Sequence, residues 1–431
     1  MEHRIIQNFD SLATTPLRHT ALSLAEAGYA AITVETALHE RIVLDDAELT
    51  IDGTPYPLAG RRVFFVGVGK CAFAAAHAIE EIFGDRLTGG VALDVSPLGE
   101  SSLQKVEMYV GTHPLPSEVN ERATERILAF LAGRAADDLV IMLISGGGST
   151  LLCLPPSPMT CTDESMLWNE LTARGATIQD MNTVRKHISR ARGGGLAAAA
   201  YPAQVISLVV SDVPGNDVEY IASGPTVLDT STIADADAIL TRYAIPSSLR
   251  ISCIETPKEQ KYFDRVTTTL FLTNQHALAA MHAEATRLGY IATVMSDHIA
   301  GDVRDVEKTI LETLHTVPAK SVLLYAGETT VTLGANHGAG GRNQEMALAA
   351  LADIHDDELI LPFASDGHDN TDCAGAIGDA VTREHARTHN LSITEHLEGH
   401  SAYDFFTATG DALLTGYTGS NVSDLIIAIK K

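Results

Sequence analysis

Short apolar runs that alternate with helix-like patterns are the feature that most constrains the fold of this chain. The clearest run is Leu139–Ser145 (LVIMLIS), and comparable runs occur at Arg61–Gly67 and Gln204–Ser211. Runs of about four to eight successive apolar residues are typical of strands buried on both faces of a parallel sheet. Amphipathic helical patterns such as Glu118–Arg134 separate them. The sequence therefore predicts an α/β fold, a parallel sheet with helices on both faces.

A loss of periodicity indicates where the chain divides into domains. Residues 1–45 read as helical, and the alternating pattern then continues to about residue 250. Residues 251–264 are polar and without period, and the pattern restarts with a strand at Thr268–Leu272. We therefore predict a larger domain over residues 1–250, a linker over 251–264 and a smaller α/β domain over 265–431. The C-terminal tail is a candidate to pack back onto the first domain.

The composition excludes several functional classes. The chain has 30 Lys and Arg against 55 Asp and Glu, a net charge of −25, which repels nucleic acid and anionic membranes. Any anion site must therefore concentrate positive charge locally, through basic side chains, backbone amides or Mg²⁺. The five cysteines are scattered and form no CxxC, which argues against a disulfide framework or a zinc site. With no apolar leader and no apolar span of about 20 residues, we expect a cytoplasmic protein.

The residues that follow the strands are the candidate site, because open parallel sheets bind ligands at the carboxyl ends of their strands. The first strand runs into Gly67-Val68-Gly69-Lys70, and the strand at Leu139 runs into Ser145–Ser149 (SGGGS). Three consecutive glycines are costly to order, so an anion is expected to approach this backbone and bind its N–H groups. For the loop at Lys70, a tight turn with a surface lysine is an equal alternative.

Two further segments of the first domain carry candidate residues. Asp212 follows the strand at Gln204 and precedes Pro214, and Ser223-Gly224 lie just beyond. Asp212 could bind Mg²⁺ or accept a proton, and an Asx-turn is the alternative. A basic cluster is either a solvated helix face or an electropositive wall over nucleotide phosphates; its members are Arg185, Lys186, His187, Arg190 and Arg192.

The second domain offers an arginine and several acidic residues. Glu328 follows the strand at Val322–Ala326, and Arg342 opens a helix after a glycine run, where it could clamp a carboxylate or phosphate. The loop Asp366–Asp372 could bind a metal, and Asp366 is the preferred catalytic carboxylate. The alternatives are a surface arginine and a polar turn.

Several segments taken together resemble the glycerate 2-kinase family with a C-terminal MOFRL domain. The segments occur in the family's order and cover the chain from about residue 10 to 430: VGVGKCA, GTHPLP, LISGGGSTLL, MNTVRKHISRARGGGLA, VVSDVPGNDVEYIASGPTV, GETTVTL, GGRNQEMALA, SDGHDNTDCAGA and GYTGSNVSDL.

This resemblance implies an ATP- and Mg²⁺-dependent kinase that phosphorylates the 2-hydroxyl of D-glycerate. It also implies a Rossmann-like first domain, a smaller α/β MOFRL domain and an active site in the cleft between them. By motif, Lys70, Asp212, Arg342 and Asp366 match the family's active-site residues. We expect Asp212, Glu328 and Asp366 to hold Mg²⁺, and the following residues to bind ATP phosphates: Ser145, Gly146, Gly147, Gly148, Ser149, Lys186, Arg192, Ser223 and Gly224. The expected partners are small molecules, with a homodimer as one candidate assembly.

Departures from the family pattern concern the substrate more than the reaction. Arg192 stands where the family has a lysine, the Asp366–Asp372 loop is shorter, and the last motif reads Gly416–Asn421. A related hydroxy acid, such as a four-carbon sugar acid, is therefore an alternative acceptor. Two rival functions are an NAD(P)H-dependent hydroxypyruvate reductase, with Asp94 as ribose partner of a loose GxGxxA match, and a non-catalytic sugar-acid-binding protein.

Overall fold

The computed structural model describes residues 4–95, 103–213, 215–249, 251–333 and 337–431; Pro214, named above, lies outside these ranges. Among the described residues, no helix combines the length and apolar character needed to cross a membrane. The strands are β1 Ile42–Leu44, β2 Glu48–Ile51, β3 Thr54–Pro57, β4 Val63–Val68, β5 Leu87–Asp94, β6 Val106–Val110, β7 Leu139–Ile144, β8 Gln204–Val210, β9 Val266–Leu272, β10 Ile291–Asp302, β11 Ser321–Thr330, β12 Glu358–Ala364, β13 Gly375–Ala376, β14 Gly378–Asp379, β15 Ala412–Leu413 and β16 Asp424–Lys430.

The helices alternate with these strands along most of the chain. They are α1 Phe9–Leu12, α2 Pro16–Ile32, α3 Val34–Arg41, α4 Ala72–Phe83, α5 Glu118–Leu131, α6 Gly148–Leu151, α7 Cys161–Ala173, α8 Ile178–His187, α9 Gly195–Ala200, α10 Ile233–Arg242, α11 Asn274–Arg287, α12 Val303–Thr316, α13 Arg342–Ala350, α14 Ala380–Thr388, α15 Ile393–Glu398 and α16 Ala402–Thr409.

The chain folds into two compact units, and the first, Val34–Leu272, is called the middle unit here. Its described strands form a parallel sheet in the order β6-β5-β4-β7-β8-β9, beside a small antiparallel sheet of β1, β2 and β3. This is the strand order of a Rossmann-like sheet. Strands β4 to β6 are added toward one edge and strands β7 to β9 toward the other, so the order reverses between β4 and β7. The expected parallel α/β architecture is therefore confirmed. The order matters for function because such sheets bind ligands at the point of reversal.

The strands of the middle unit are buried because their side chains are apolar at nearly every position. All residues of β4 and of β7 are buried. Val66, Met142 and Ile144 belong to a core cluster that also contains Ile127 of α5 and Leu196 of α9. Burial of a Val, Leu or Ile side chain stabilises the fold by about 1.5–3 kcal/mol. This core therefore holds β4 and β7 in place, together with the loops that follow them.

The second unit, called the terminal unit, consists of Met1–Thr33 and Thr273–Lys431. Its described strands form a mixed sheet in the order β10-β11-β16-β12-β13-β15, with β14 also paired to β12. β10 and β11 are parallel, whereas β16 runs antiparallel to both of its neighbours, β11 and β12. One face of the sheet packs under α12 and α13, where Ile310, Leu314 and Met346 join the core.

This division differs from the predicted domain organisation in four places. β9, which was predicted to open the second domain, pairs in parallel with β8 and completes the sheet of the middle unit. The predicted linker belongs to the middle unit, where Ile251 and Cys253 pack against the cluster around α7, α8 and α10. The first helices belong to the terminal unit, and the C-terminal tail, as β16, is a central strand of that same unit.

A buried ion-pair network holds the N-terminal segment in the terminal unit. Arg18 of α2 donates to both oxygens of Asp379, each at 2.7 Å, and to Asp411 at 2.7 Å. It also donates to Thr382 at 2.8 Å. The side chains of Arg18, Asp379 and Asp411 are 1%, 5% and 1% exposed, so solvent screens these pairs little. Periodicity could not reveal these pairs, because 361 residues separate Arg18 from Asp379.

Removal of this guanidinium is expected to destabilise the protein strongly. Arg18→Met would leave two carboxylates buried without their cation, and breaking a buried pair in this way costs about 3–5 kcal/mol. Chemical denaturation would measure the loss in the free energy of unfolding. Arg387→Met is the matched control, since the Arg387–Glu384 pair is exposed and its loss should cost less than about 1 kcal/mol. Equal effects of the two substitutions would contradict the assignment.

Candidate active site

The loops that follow β4 and β7 are hydrogen-bonded to each other at the point where the strand order reverses. The Lys70 N–H donates to the Gly146 carbonyl at 2.9 Å, and the Cys71 N–H donates to Ser145 Oγ at 3.1 Å. Gly69 lies between them with φ +113°, and a Cβ there would lie 2.5 Å from the Ser145 carbonyl oxygen. Only glycine fits this position, so the two glycine-containing loops form a single structure.

The SGGGS loop continues into a chain of hydroxyl hydrogen bonds. Gly147 has φ +81°, and a Cβ there would lie 3.3 Å from Cγ of Lys70, so the lysine stem runs beside this glycine. Ser149 Oγ lies 2.9 Å from Ser223 Oγ, which donates to Asn182 Oδ1 at 3.0 Å. The predicted segments SGGGS and SGP are thus in direct contact. Gly224 is held on its other side, where its carbonyl accepts from Gly194 N–H at 2.8 Å.

A cavity of about 620 Å³ opens beside these loops, within the middle unit. Its walls come from the SGGGS loop, the loop after β8, helix α8 and the segment around Tyr220. Asp212, the predicted carboxylate at the end of β8, is part of the wall. The cavity volume lies in the range that holds small molecules and cofactors. Sites of this kind at strand ends are where α/β sheets bind ligands.

Arg185 of α8 is the cationic side chain of this cavity wall. Its guanidinium lies 3.3 Å from the ring centroid of Trp168, and its Nε is buried without a hydrogen-bond partner among the described residues. Burial and the neighbouring guanidinium of Arg192 lower the pKa of Arg185, Glu164 opposes them, and the resulting pKa is about 9. A half-buried cation in the wall of a cavity is a binding group for an anion.

The two basic residues that were predicted to bind phosphates are engaged elsewhere. Arg192 is fully buried and donates to Glu164 at 2.6 Å, and it also donates to the Arg185 carbonyl at 3.3 Å. Lys186 is buried and donates to Asp229 at 3.2 Å. Both charges are thus compensated inside the protein. Of the basic cluster, Arg185 is the residue that lines the cavity. The sequence alone could not single it out.

In the terminal unit, three carboxylates lie at one end of three adjacent strands. Asp424, the first residue of β16, pairs with Gly327 of β11 and with Ala364 of β12. Glu328 therefore lies one residue beyond the first pair, and Asp366 two residues beyond the second. Asp424 is a residue that sequence reasoning missed, although it belongs to the GYTGSNVSDL segment. The sequence pattern that could have revealed Asp424 is an acidic residue at the start of a buried apolar strand.

Arg342, predicted as a clamp, contacts two of these carboxylates. Its Nη2 donates to Glu328 at 3.0 Å, and its Nε donates to Asp424. Burial would lower the pKa of Arg342, but Asp424 and Glu328 outweigh burial and raise it. Burial raises the pKa of Asp424 to about 6, against the opposing effect of Arg342. One guanidinium shared by two carboxylates leaves a net negative charge here, which favours a cation as a further ligand.

The loop after β12 serves a structural purpose as well as a candidate chemical one. Asp369 is buried, and its carboxylate accepts from the N–H groups of Asn343 at 3.1 Å and of Gln344 at 2.8 Å, so it caps the start of α13. Asp369 is therefore not open for a metal. Asp366 accepts from the His368 N–H at 3.0 Å and has 8% of its surface exposed, so it stays a candidate.

Asp94, the ribose partner required by the reductase alternative, is a helix cap. The residue is fully buried, and its carboxylate accepts from the N–H groups of Phe73 at 2.9 Å and of Val95 at 2.6 Å. The Phe73 contact caps the start of α4. The assignment of Asp94 to a ribose is therefore wrong, because its carboxylate is buried and accepts hydrogen bonds from the backbone of Phe73 and Val95.

Comparison with known families identifies two domains in the chain. Residues 20–255 match the family described as "Domain of unknown function (DUF4147)", and residues 321–424 match the MOFRL family. The first match covers more than half of the chain and spans most of the middle unit, up to residue 255, with part of α2.

Curated relatives and a solved structure are similar over nearly the whole chain. The glycerate 2-kinase of Pyrococcus horikoshii is 34% identical over 96% of this chain and 97% of its own length. A crystal structure of the glycerate kinase of Thermotoga maritima is 30% identical and superposes with a TM-score of 0.83, covering 96% of this chain and 99% of that one. A relative from Agrobacterium vitis with a provisional hydroxypyruvate reductase name is 38% identical over 84% of this chain and 86% of the relative.

The hydrogen bonds from Lys70 and Cys71 to the SGGGS loop, together with the close approach at Gly69, are called the loop lock here. The loop lock predicts that Gly69 cannot be replaced. In Gly69→Ala, the new methyl group would overlap Ser145, so the loops must separate and unfolding should become easier by about 2–4 kcal/mol. Gly133→Ala is the matched control: φ is +77°, but nothing lies within 4 Å of the added Cβ, so only about 1 kcal/mol of backbone strain is expected. Denaturant titration measures both, and equal losses would show that the contact with Ser145 is unimportant.

Proposed function

The chain belongs to the glycerate kinase family, and we propose that it transfers the γ-phosphoryl group of ATP to the 2-hydroxyl of D-glycerate or of a closely related small hydroxy acid. The observation that carries this proposal is the pair of loops locked at the strand-order reversal, beside a cavity with Asp212 and Arg185 in its wall. Phosphoryl transfer depends on positioning and on charge neutralisation, and this cavity offers groups for both.

The middle unit supplies the groups proposed for the nucleotide phosphates. Backbone N–H groups of Gly146, Gly147 and Ser149, which line the cavity, bind phosphate oxygens, since bare glycine backbone lets an anion approach closely. Gly148 was predicted to join them, but its N–H donates to the Ser145 carbonyl at 3.3 Å. The guanidinium of Arg185 donates hydrogen bonds to a phosphate, and this ion pair compensates its charge. Lys70, beside Gly147, neutralises charge on the transferred phosphoryl group or the substrate carboxylate.

The reaction step forms one bond and breaks another. The 2-hydroxyl oxygen of the acceptor bonds to the γ-phosphorus, the bond from that phosphorus to the β,γ-bridging oxygen breaks, and ADP leaves. The hydroxyl proton passes to a carboxylate, for which Asp212 and Asp366 are the candidates. Arg342 retains guanidinium hydrogens beyond those given to Glu328 and Asp424, and we assign them to the acceptor carboxylate.

The proposed metal is Mg²⁺, and the residues present fit it. Asp212, Glu328 and Asp366 offer carboxylate oxygens, which are the ligands that this hard cation prefers, and Asp424 adds a fourth. Within the described part of the terminal unit, Glu328, Asp366 and Asp424 do not form a ready cage of three ligand atoms. Mg²⁺ fits such a site because it uses one or two carboxylates together with water and substrate phosphates. When bound, it neutralises negative charge on the phosphoryl oxygens.

Two structural observations argue against the reductase alternative. The carboxylate of Asp94 is enclosed, so it offers no ribose contact. The Cα of Gly69, which a dinucleotide pyrophosphate would approach, instead faces Ser145 and Gly146. We also propose a cytoplasmic location, consistent with free thiols at all five cysteines, and a homodimer as a candidate assembly that sedimentation would test.

The proposal is tested by the product of the reaction. The protein would be incubated with ATP, Mg²⁺ and a panel of small hydroxy acids, ADP release would be measured, and the product would be examined by phosphorus NMR. D-Glycerate or a close analogue should give a phosphate ester on the 2-hydroxyl. Oxidation of NADH with hydroxypyruvate would instead support the reductase, and ligand binding without ADP release would support a binding protein.

Lys70 and Arg342 are expected to be essential for turnover. Lys70→Ala or Arg342→Ala should lower kcat/KM by about two to three orders of magnitude, the loss typical when a charged group that stabilises the reacting atoms is removed. The matched controls are Lys261→Ala and Arg387→Ala, which remove exposed charges paired with Glu259 and Glu384. Near wild-type rates in either test variant would sink the assignment of that residue.

Arg185 is expected to govern nucleotide affinity. In Arg185→Met, the KM for ATP should rise about 10- to 100-fold, because one charge-assisted hydrogen bond to phosphate is lost, while kcat changes less. Arg185→Lys should recover only part of this, since it keeps the charge but not the planar stack on Trp168. Arg190→Met, at an exposed neighbouring position, is the control. An unchanged KM for ATP in Arg185→Met would remove Arg185 from the site.

A further inference from the structure

Two histidines and a glutamate cluster at the end of the terminal unit's sheet that lies opposite Asp424. Glu358 begins β12 and pairs with Lys430 at the end of β16, whereas Asp424 begins β16 and pairs with Ala364. The six residue steps between Glu358 and Ala364 span about 20 Å of strand. His315 lies in the last turn of α12, and His355 lies in the turn before β12. The cluster is therefore separate from the groups of the terminal unit that are proposed for catalysis.

The contacts within this cluster are close. His315 Nδ1 lies 2.9 Å from Glu358 Oε2, and His355 Nδ1 lies 3.4 Å from Oε1 of the same carboxylate. The two imidazole rings are stacked, with centroids 4.0 Å apart and an angle of 23° between the planes. The ligand atoms offered by the three side chains lie within 4.8 Å of one another. Three side chains of metal-binding type thus converge on one point.

Glu358 provides a second observation that points to a ligand at this cluster. Its side chain is fully buried, and Oε1 forms an ion pair with Lys430 Nζ at 3.2 Å but has no hydrogen-bond partner among the described residues. Lys430 Nζ also donates a hydrogen bond to the His315 carbonyl at 3.0 Å. The ion pair leaves lone pairs of this buried oxygen unused, and a metal ion would accept one of them.

We propose that His315, His355 and Glu358 bind a zinc-class transition-metal ion. Imidazole nitrogen and carboxylate oxygen are common zinc ligands, and two histidines with one glutamate leave the fourth position to water. Tetrahedral zinc with bonds of about 2.0–2.1 Å needs ligand atoms about 3.3 Å apart. The side chains of His315 and His355 are 27% and 55% exposed, so they have room for the small rotation that closes the site. Hard cations such as Mg²⁺ prefer oxygen ligands and suit this set less well.

The absence of a cysteine motif does not bear on this site, because no cysteine takes part.

The expected effect of the bound ion is structural. A bound ion would join the end of α12 to the start of β12, two segments that are 43 residues apart along the chain. Binding to the folded protein alone would raise its melting temperature with increasing zinc concentration. The ion would not act on the phosphoryl-transfer step.

The test is zinc binding by calorimetry on tag-free full-length protein, with Mg²⁺ in large excess to occupy carboxylate sites. The wild type should bind one equivalent of Zn²⁺, and His315→Ala and His355→Ala should each weaken that affinity at least tenfold. His282→Ala, which removes an exposed histidine of α11, is the matched control and should bind as the wild type does. Binding that is absent in the wild type, or unchanged in His355→Ala, would overturn the proposal.

A second measurement covers the case in which His315→Ala fails to fold, since that change also removes a partner of buried Glu358. Co²⁺ would replace Zn²⁺ as a spectroscopic probe. The wild type and His282→Ala should show the visible absorption of a four-coordinate cobalt site, and His355→Ala should lose most of its intensity. The spectrum of free hydrated Co²⁺ in the wild type would contradict a site built from these ligands.

Discussion

The lock between the loops after β4 and β7 is the interaction on which the candidate site depends. Because the strand order reverses at this point, the two loops leave the sheet side by side. Two hydrogen bonds, from Lys70 N–H to Gly146 and from Cys71 N–H to Ser145, hold them together, and the missing side chain of Gly69 lets them approach. These contacts fix the position of the Lys70 backbone and hold Gly146 and Gly147 in the wall of the cavity, so they position both halves of the proposed phosphate site.

Compensation of buried charge decides which basic residues remain available for a ligand. In a chain of net charge −25, most basic groups find a carboxylate within the protein. Arg192 forms an ion pair with Glu164, and Lys186 forms one with Asp229. Arg185 instead stacks on Trp168 in the wall of the cavity. The same rule applies to Arg18, whose charge serves the fold rather than a substrate. A ligand anion is then the natural partner of Arg185.

The sequence predicts those parts of the structure that depend on local pattern. The apolar runs at Val63, Leu139 and Gln204 become buried parallel strands, and the glycine-containing loops follow them as expected. What it does not predict depends on contacts between distant residues. β9 follows the predicted linker, so only its pairing with β8 shows which sheet it joins. The short strands β1 to β3 and helices α14 to α16 were not predicted, because short elements carry little periodicity.

For the candidate site, the sequence predicts residue types at strand ends better than their partners. Lys70, Asp212, Arg342 and Asp366 all follow strands or begin a helix, as expected, and their chemical roles stay proposals. Lys186 and Arg192 were preferred to Arg185 because residues of one basic cluster differ only in the direction of their side chains, which a linear pattern does not record. Their binding to phosphate stays a prediction. Asp424 was missed because its neighbours, Gly327 and Ala364, come from strands far along the chain.

The most direct measurement of the central claim is a crystal structure with Mg²⁺ and a non-hydrolysable ATP analogue. We predict that the β- and γ-phosphates lie within hydrogen-bond distance of the backbone N–H groups of Gly146, Gly147 and Ser149, with the Arg185 guanidinium on a phosphate oxygen. Phosphates bound away from this loop, with Arg185 still stacked on Trp168 and facing an empty cavity, would contradict it.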